Sequence, residues 1–184
     1  SHIAGILQDN GVSPKTVCEI GCGAGEVIRG LARRLPSAAQ LVGYEISPDA
    51  YRLCAPKAAG KVEFRLANLL DEPVRYDLAM AIDVFEHVEN YFDFLRRMRD
   101  KAVFKVFHIP LDLSALALVR GQPLMDMRRS VGHIHYFSKE TALAALHDTG
   151  YRVLDWRYTS GRTELPNLGW KTKLLKAPRQ AMFR

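Results

Sequence analysis

Short apolar runs alternate with stretches of helical spacing along most of this chain. Residues 16–21 (TVCEIG) form an apolar run closed by glycine, and Val27, Ile28, Leu31, Ala32 and Leu35 then recur at the spacing of one helix face until Pro36 ends the pattern. A second strand is predicted over residues 40–46. Ser47 then offers an N-cap hydroxyl and Pro48 a first helical residue with φ already set, opening a short helix over residues 49–54. Residues 62–67 and 78–84 read as the third and fourth strands. Tyr91, Phe94, Leu95, Met98 and Ala102 make the apolar face of a helix that leads into a fifth strand over residues 103–109. Such alternation predicts a doubly wound α/β fold, a mostly parallel sheet with helices on both faces.

The rhythm breaks after Pro110. Residues 111–132 carry apolar residues with Gly121 and Pro123 in their middle, so the segment 111–136 is expected to be a helical lid inserted after strand five. Ser138 caps a further helix with Leu143 and Leu146 inward, Gly150 ends it, and residues 151–158 alternate as a sixth strand. Beyond that, Leu174, Leu175, Ala181 and Met182 would share one side of an amphipathic helix, which Pro178 interrupts.

Composition refines this only slightly. A chain of 184 residues, 48% hydrophobic and 25% charged, suits one domain spanning residues 1–184. The formal charge of +6 gathers in Lys171, Lys173, Lys176, Arg179 and Arg184, which marks residues 161–184 as a basic C-terminal extension, able to touch an anionic membrane peripherally. Cys18, Cys22 and Cys54 contain no C-x-x-C pair and are odd in number, which fits a reducing cytoplasm better than a disulfide framework. Ser1-His2 reads as a scar of tag removal, and the start has no export signal. The most apolar stretch, residues 113–119, falls far short of the roughly 20 residues that span a bilayer.

The chemistry-bearing signal is Glu19-Ile20-Gly21-Cys22-Gly23-Ala24-Gly25 between strand and helix, where residues without a Cβ permit sharp turning and let a ligand touch the backbone. A dinucleotide loop would need a third small residue where Glu26 stands, and an anion there would oppose a pyrophosphate at a helix N-terminus. Glu45 ends the second strand, where a carboxylate can accept from both ribose hydroxyls. Loop and acid together imply a nucleoside ligand other than NAD.

These residues, with Asp83-Val84-Phe85-Glu86-His87-Val88 after strand four and Gly132-His133-Ile134-His135-Tyr136-Phe137-Ser138 later, resemble the class I S-adenosylmethionine-dependent methyltransferases. The resemblance covers residues 17–158 and is nearest to a small-molecule branch with D-x-x-E-H-V and G-H-x-x-x-[FY]-[ST] segments. It implies a Rossmann-like fold, S-adenosylmethionine as cofactor and S-adenosylhomocysteine as product. It would place Glu19, Gly21, Cys22, Gly23 and Gly25 around the methionine part, Glu45 and Ile46 at ribose and adenine, Asn68 and Leu69 at the adenine edge, and Asp83 and Val84 on the methyl side. Asn68 departs from the Asp of many relatives, and the seventh, antiparallel strand of that family has no clear candidate after Tyr158.

A sulfonium is already an activated methyl donor, so such a site needs chiefly to align a nucleophile and exclude water. His87, His133 and His135 are the candidate bases for an acceptor that arrives protonated, with structural roles as their alternative. No metal is expected, since no third ligand stands at recognisable spacing. Two other functions compete with a small-molecule methyltransferase: a non-catalytic nucleoside-binding domain, and a nucleic-acid methyltransferase that uses the basic extension. The second lacks any Asn-Pro-Pro-Tyr-type motif, so a nucleic-acid partner is not expected. The pattern specifies neither the acceptor atom nor an oligomeric state.

Overall fold

Five strands lie parallel at the heart of the computed structural model, which describes residues 2–159 and 180–183. They are β1 (Thr16–Ile20), β2 (Gln40–Glu45), β3 (Val62–Leu66), β4 (Tyr76–Ile82) and β5 (Ala102–Pro110). Two more, β6 (Trp156–Thr159) and β7 (Gln180–Phe183), complete a sheet of order β3-β2-β1-β4-β5-β7-β6, with β7 antiparallel to both its neighbours.

Consecutive strand residues are apolar and point to opposite faces, so both faces demand cover. Val17, Leu41, Leu78, Met80 and Val106 bury one face beneath the helices α1 (His2–Asp9), α2 (Glu26–Ala32) and α3 (Pro48–Cys54). Their alternates, Cys18, Val42, Tyr44, Ala79, Ala81, Phe107 and Ile109, bury the other beneath two further helices, 91–100 and 139–148. The expected caps are present. The Ser47 hydroxyl accepts from the Ala50 amide at 3.3 Å, and Ser138 and Thr141 form a reciprocal capping box.

After α4 (Tyr91–Asp100) and β5, the chain forms two short helices, α5 (Ala115–Arg120) and α6 (Gln122–Val131), before α7 (Lys139–Asp148). Gly121 joins the pair at φ 63°, and α6 buries none of its residues. Leu116, Leu118, Val119 and Met125 stay exposed on them. No helix among the described residues is long and apolar enough to cross a membrane.

One element was not expected, and two expectations need correction. The chain's start is helix α1, whose Ile3, Ile6 and Leu7 are core residues; an eight-residue helix is too short for its periodicity to stand out. The sixth strand covers only Trp156–Thr159 rather than 151–158. Ala181 and Met182, expected in a helix, lie in β7, because the edge of β5 offers an unpaired ladder that a strand can fill. Leu174, Leu175 and the basic residues of the extension lie outside the described residues.

Candidate active site

β1 ends in the glycine loop, which turns the chain into α2. Gly21, Gly23 and Gly25 take φ of 65°, 51° and 77°, the left-handed region that other residues avoid. Two of them serve different ends. A Cβ on Gly25 would stand 2.5 Å from Phe64 Cζ, so its absence lets the loop pack on β3. A Cβ on Gly23 would meet nothing within 4 Å, so this peptide borders open space. The Cys22 amide donates to the Tyr44 carbonyl at 3.0 Å, tying the loop to β2.

Glu45, at the end of β2, holds the same loop. Its Oε2 accepts from the Gly23 amide at 2.8 Å, and its Oε1 accepts from the Ile46 and Ser47 amides, both at 2.9 Å. A carboxylate offers about four lone-pair positions, which leaves one on Oε2 for a ligand hydroxyl. The expectation that Glu45 receives both ribose hydroxyls therefore requires the Gly23 amide to yield, or the second hydroxyl to find another partner. Ile46 beside it is 69% exposed, an apolar side chain largely open to solvent.

Beneath the loop Glu19 is 2% exposed, and its Oε2 has no hydrogen-bond partner. Burial pushes its pKa up to about 8; the Ile28 amide opposes that shift and the nearby Glu45 charge adds to it. Asn68 is committed to its own turn, its Oδ1 accepting from the Leu70 amide at 3.1 Å and its Nδ2 donating to Asp71 Oδ2 at 2.8 Å, while Leu69 is wholly buried.

The chain leaving β4 runs against this loop. A Cβ on Gly21 would meet Val84 Cγ2 at 3.0 Å, so Val84 packs directly on the glycines. Asp83 is the one described residue other than glycine with positive φ, 52°. Its Oδ1 accepts from His108 Nδ1 at 2.6 Å, and the other nitrogen of that ring meets the Thr159 hydroxyl at 2.9 Å. His108 was not among the residues expected here; it lies on β5 and reaches Asp83 only through parallel pairing.

A second group gathers at the next turn, residues 85–87. The Ile134 and His135 amides both donate to the Glu86 carbonyl, which docks the irregular segment 133–135 against it. His87 Nδ1 meets the Gly132 carbonyl at 3.1 Å, and His133 Nδ1 meets Asp112 Oδ2 at 2.6 Å. The two rings stand edge to face with centroids 4.9 Å apart. His135 does not join them: its Nε2 donates to the Val88 and Glu89 carbonyls at 3.0 and 3.2 Å. Glu86 does, with no exposed surface and with burial pushing its pKa up to about 8. An acid directly before His87 was the available signal for Glu86; Asp112 has none, because only folding brings it to His133. Asp112 also lines a cavity of ≈ 220 Å³ with Leu116, Ala117, Leu124 and Met127 of α5 and α6.

A family model described as a methyltransferase domain matches residues 3–155. The chain belongs to that methyltransferase-domain family. Norajmaline N-methyltransferase of Rauvolfia serpentina is 33% identical over an alignment of 106 residues that covers 53% of this chain and 35% of that enzyme. The chain thus spans about a third of the length of this curated relative. Among solved structures, magnesium protoporphyrin IX methyltransferase from Synechocystis PCC 6803 with bound S-adenosylhomocysteine aligns at TM-score 0.71 and 18% identity, over 99% of this chain and 78% of that one. The cyclase SpnF aligns at TM-score 0.67 and 19% identity, over 88% and 61%. At those identities the likeness establishes the fold of this methyltransferase-family member, and the fold serves more than one reaction.

The residues fit the S-adenosyl group that the resemblance implies. Open space at Gly23, a remaining acceptor position on Glu45 and the exposed Ile46 all lie at the carboxyl ends of β1 and β2, where ligands of open parallel sheets bind.

Proposed function

We propose that this chain is an S-adenosylmethionine-dependent methyltransferase acting on a small-molecule acceptor. The observation that carries the reading is Gly23, which borders open space while its amide donates to Glu45. In this reading Glu19, Gly21, Cys22, Gly23 and Gly25 surround the methionine portion. Glu45 takes a ribose hydroxyl on its remaining lone pair, Ile46 covers the adenine, Asn68 and Leu69 form the adenine edge, and Asp83 and Val84 line the methyl side. The bound cofactor supplies a sulfonium methyl, already activated for in-line displacement.

What the protein adds is placement. Glu45 and the Ile46 and Ser47 amides fix the loop before a ligand arrives, so little reorganisation remains at the moment of reaction. His108 holds the Asp83 carboxylate at 2.6 Å and thereby sets that wall. Segment 111–136, with α5 and α6, serves as the lid: its exposed Leu116, Leu118 and Val119 are apolar groups able to close over an acceptor and keep water out. His87 and His133 each give their Nδ1 proton to an oxygen, leaving Nε2 as an acceptor able to take a proton from an incoming hydroxyl or ammonium. His135 acts on position instead, pinning segment 133–135 to the carbonyls of Val88 and Glu89.

The small-molecule acceptor is favoured by the likeness to an alkaloid N-methyltransferase and to a porphyrin methyltransferase. The cyclase with the same fold keeps a second reading in view, a domain that binds the cofactor without transferring its methyl. A transfer assay separates them. Methyl-labelled S-adenosylmethionine is incubated with a panel of phenols, amines and carboxylic acids, and S-adenosylhomocysteine release is followed. Label in a low-mass product supports the enzyme; tight cofactor binding with no acceptor across the panel favours the binding domain.

A further inference from the structure

Glu86, which groups with His87 and His133, is the buried acid that the methyl-transfer reading leaves without a role. We propose that these three side chains bind one divalent transition-metal cation of the zinc class beside the acceptor space. The buried carboxylate is the strongest indication. Glu86 is 0% exposed, and neither of its oxygens makes a hydrogen bond to another residue. A carboxylate so placed wants a cation or a donor, and the described neighbours give it none within hydrogen-bond range.

The imidazoles are prepared for the same ion. His133 Nδ1 gives its proton to the Asp112 carboxylate at 2.6 Å, and His87 Nδ1 gives its proton to the Gly132 carbonyl at 3.1 Å. With Nδ1 as the donor, Nε2 is the nitrogen each ring has left to offer a metal. One ligand atom from each of the three side chains lies within 4.8 Å of the others, and His87 Nε2 stands 3.9 Å from Glu86 Oε1. Metal–ligand bonds of about 2.0–2.2 Å would draw such donors together by roughly an ångström, and His87, with 37% of its side chain exposed, has room to move. The His133–Asp112 pair has the form of the outer contacts that orient metal-bound histidines.

Two nitrogens and one carboxylate suit zinc or cobalt better than magnesium or calcium, and they leave at least one coordination position open. His133 links the group to Asp112, which lines the cavity beneath α5 and α6. What the ion does for catalysis rests on the methyl-transfer reading, and with Nε2 of both rings on the ion it takes over from them the removal of the acceptor's proton. An acceptor oxygen at the open position would lose its proton more readily and attack the methyl as an oxyanion: its O–H bond gives the proton to solvent, an O–CH3 bond forms and the S–CH3 bond breaks.

Chelator-stripped protein titrated with Co2+ tests the site without any S-adenosyl ligand. One equivalent should bind, with visible d–d absorption that Zn2+ then abolishes. Glu86→Gln and His133→Ala should each weaken binding at least a hundredfold, and Asp112→Asn by ten- to a hundredfold. His147→Ala, on a remote exposed side chain, should leave binding unchanged. If Glu86→Gln fails to fold by circular dichroism, His87→Ala carries the same expectation from a half-exposed position. Absence of Co2+ binding at tens of micromolar, or binding that survives loss of Glu86 or His133, overturns the proposal and leaves the methyl-transfer reading standing. Metal bound as described with no methyl transfer to any acceptor overturns only the latter.

Discussion

Replacing Gly23 with alanine separates the two demands on the glycine loop. Gly23 has φ 51°, where a Cβ costs about 1–2 kcal/mol. Since that Cβ meets nothing within 4 Å, no packing cost is added. For a chain of this size each kcal/mol lowers Tm by about 2–4 °C, so Gly23→Ala should melt about 2–8 °C lower and remain folded at room temperature. Gly25→Ala bears the same backbone cost at φ 77° together with a clash, its Cβ lying 2.5 Å from Phe64 Cζ. Overpacking of that kind adds about 1–3 kcal/mol, so this variant should be the less stable of the two by that amount. Ligand affinity should rank the other way for its cause. In Gly23→Ala the new methyl occupies the space assigned to the methionine portion, and a similar steric cost of about 1–3 kcal/mol there means a loss of about five- to 150-fold. Urea denaturation gives the stabilities and calorimetry with S-adenosylhomocysteine gives the affinity. A folded Gly23→Ala protein that binds S-adenosylhomocysteine within twofold of wild type would refute the placement of the ligand over this peptide.

Glu45→Ala strips the acceptor from the Gly23, Ile46 and Ser47 amides at once; with hydrogen bonds to charged groups worth about 1.5–3 kcal/mol each and not additive, both stability and S-adenosylhomocysteine affinity should fall, the affinity at least tenfold. Unchanged affinity would remove Glu45 from the site. Glu19, with its pKa pushed up to about 8 by burial, keeps its proton on folding while the unfolded chain loses it near the ordinary value of 4.5. Its contribution is whole below that ordinary value and declines by about 1.4 kcal/mol per pH unit up to the folded pKa. Glu19→Gln should therefore gain stability relative to wild type as pH rises from 5 to 8, read by urea denaturation, and a constant difference would count against the burial argument. Deleting α5 and α6 should abolish methyl transfer while S-adenosylhomocysteine affinity in calorimetry stays nearly constant; full turnover in the deletion would end the lid assignment.

Sequence periodicity revealed the parallel half of this fold because both sheet faces are buried. Val17 beside Cys18 and Leu41 beside Val42 are apolar in succession, which leaves little room for another reading of β1 and β2. The helix starts at Ser47 and Ser138 were legible because capping is local chemistry. β7 was not: four residues carry no period of their own, and what makes them a strand is the unfilled edge of β5. The candidate site divides the same way. Glycine loop and Glu45 announce themselves by residue type and place, whereas the His108–Asp83 contact depends on strand register and the meeting of Glu86 with His133 on how the 132–135 segment docks. Asp112 illustrates the limit, since nothing in its neighbours suggests that it will hold a histidine twenty-one residues onward.

Diffraction from crystals grown with S-adenosylhomocysteine tests the central claim most directly. The account predicts homocysteine density over the Gly23 peptide, a ribose hydroxyl on Glu45 Oε2, adenine against Ile46, and the sulfur directed toward Asp83, Val84 and the space bounded by α5 and α6. Density on any other surface, or an adenine lodged at Asp83 with the sulfur at Ile46, would contradict it.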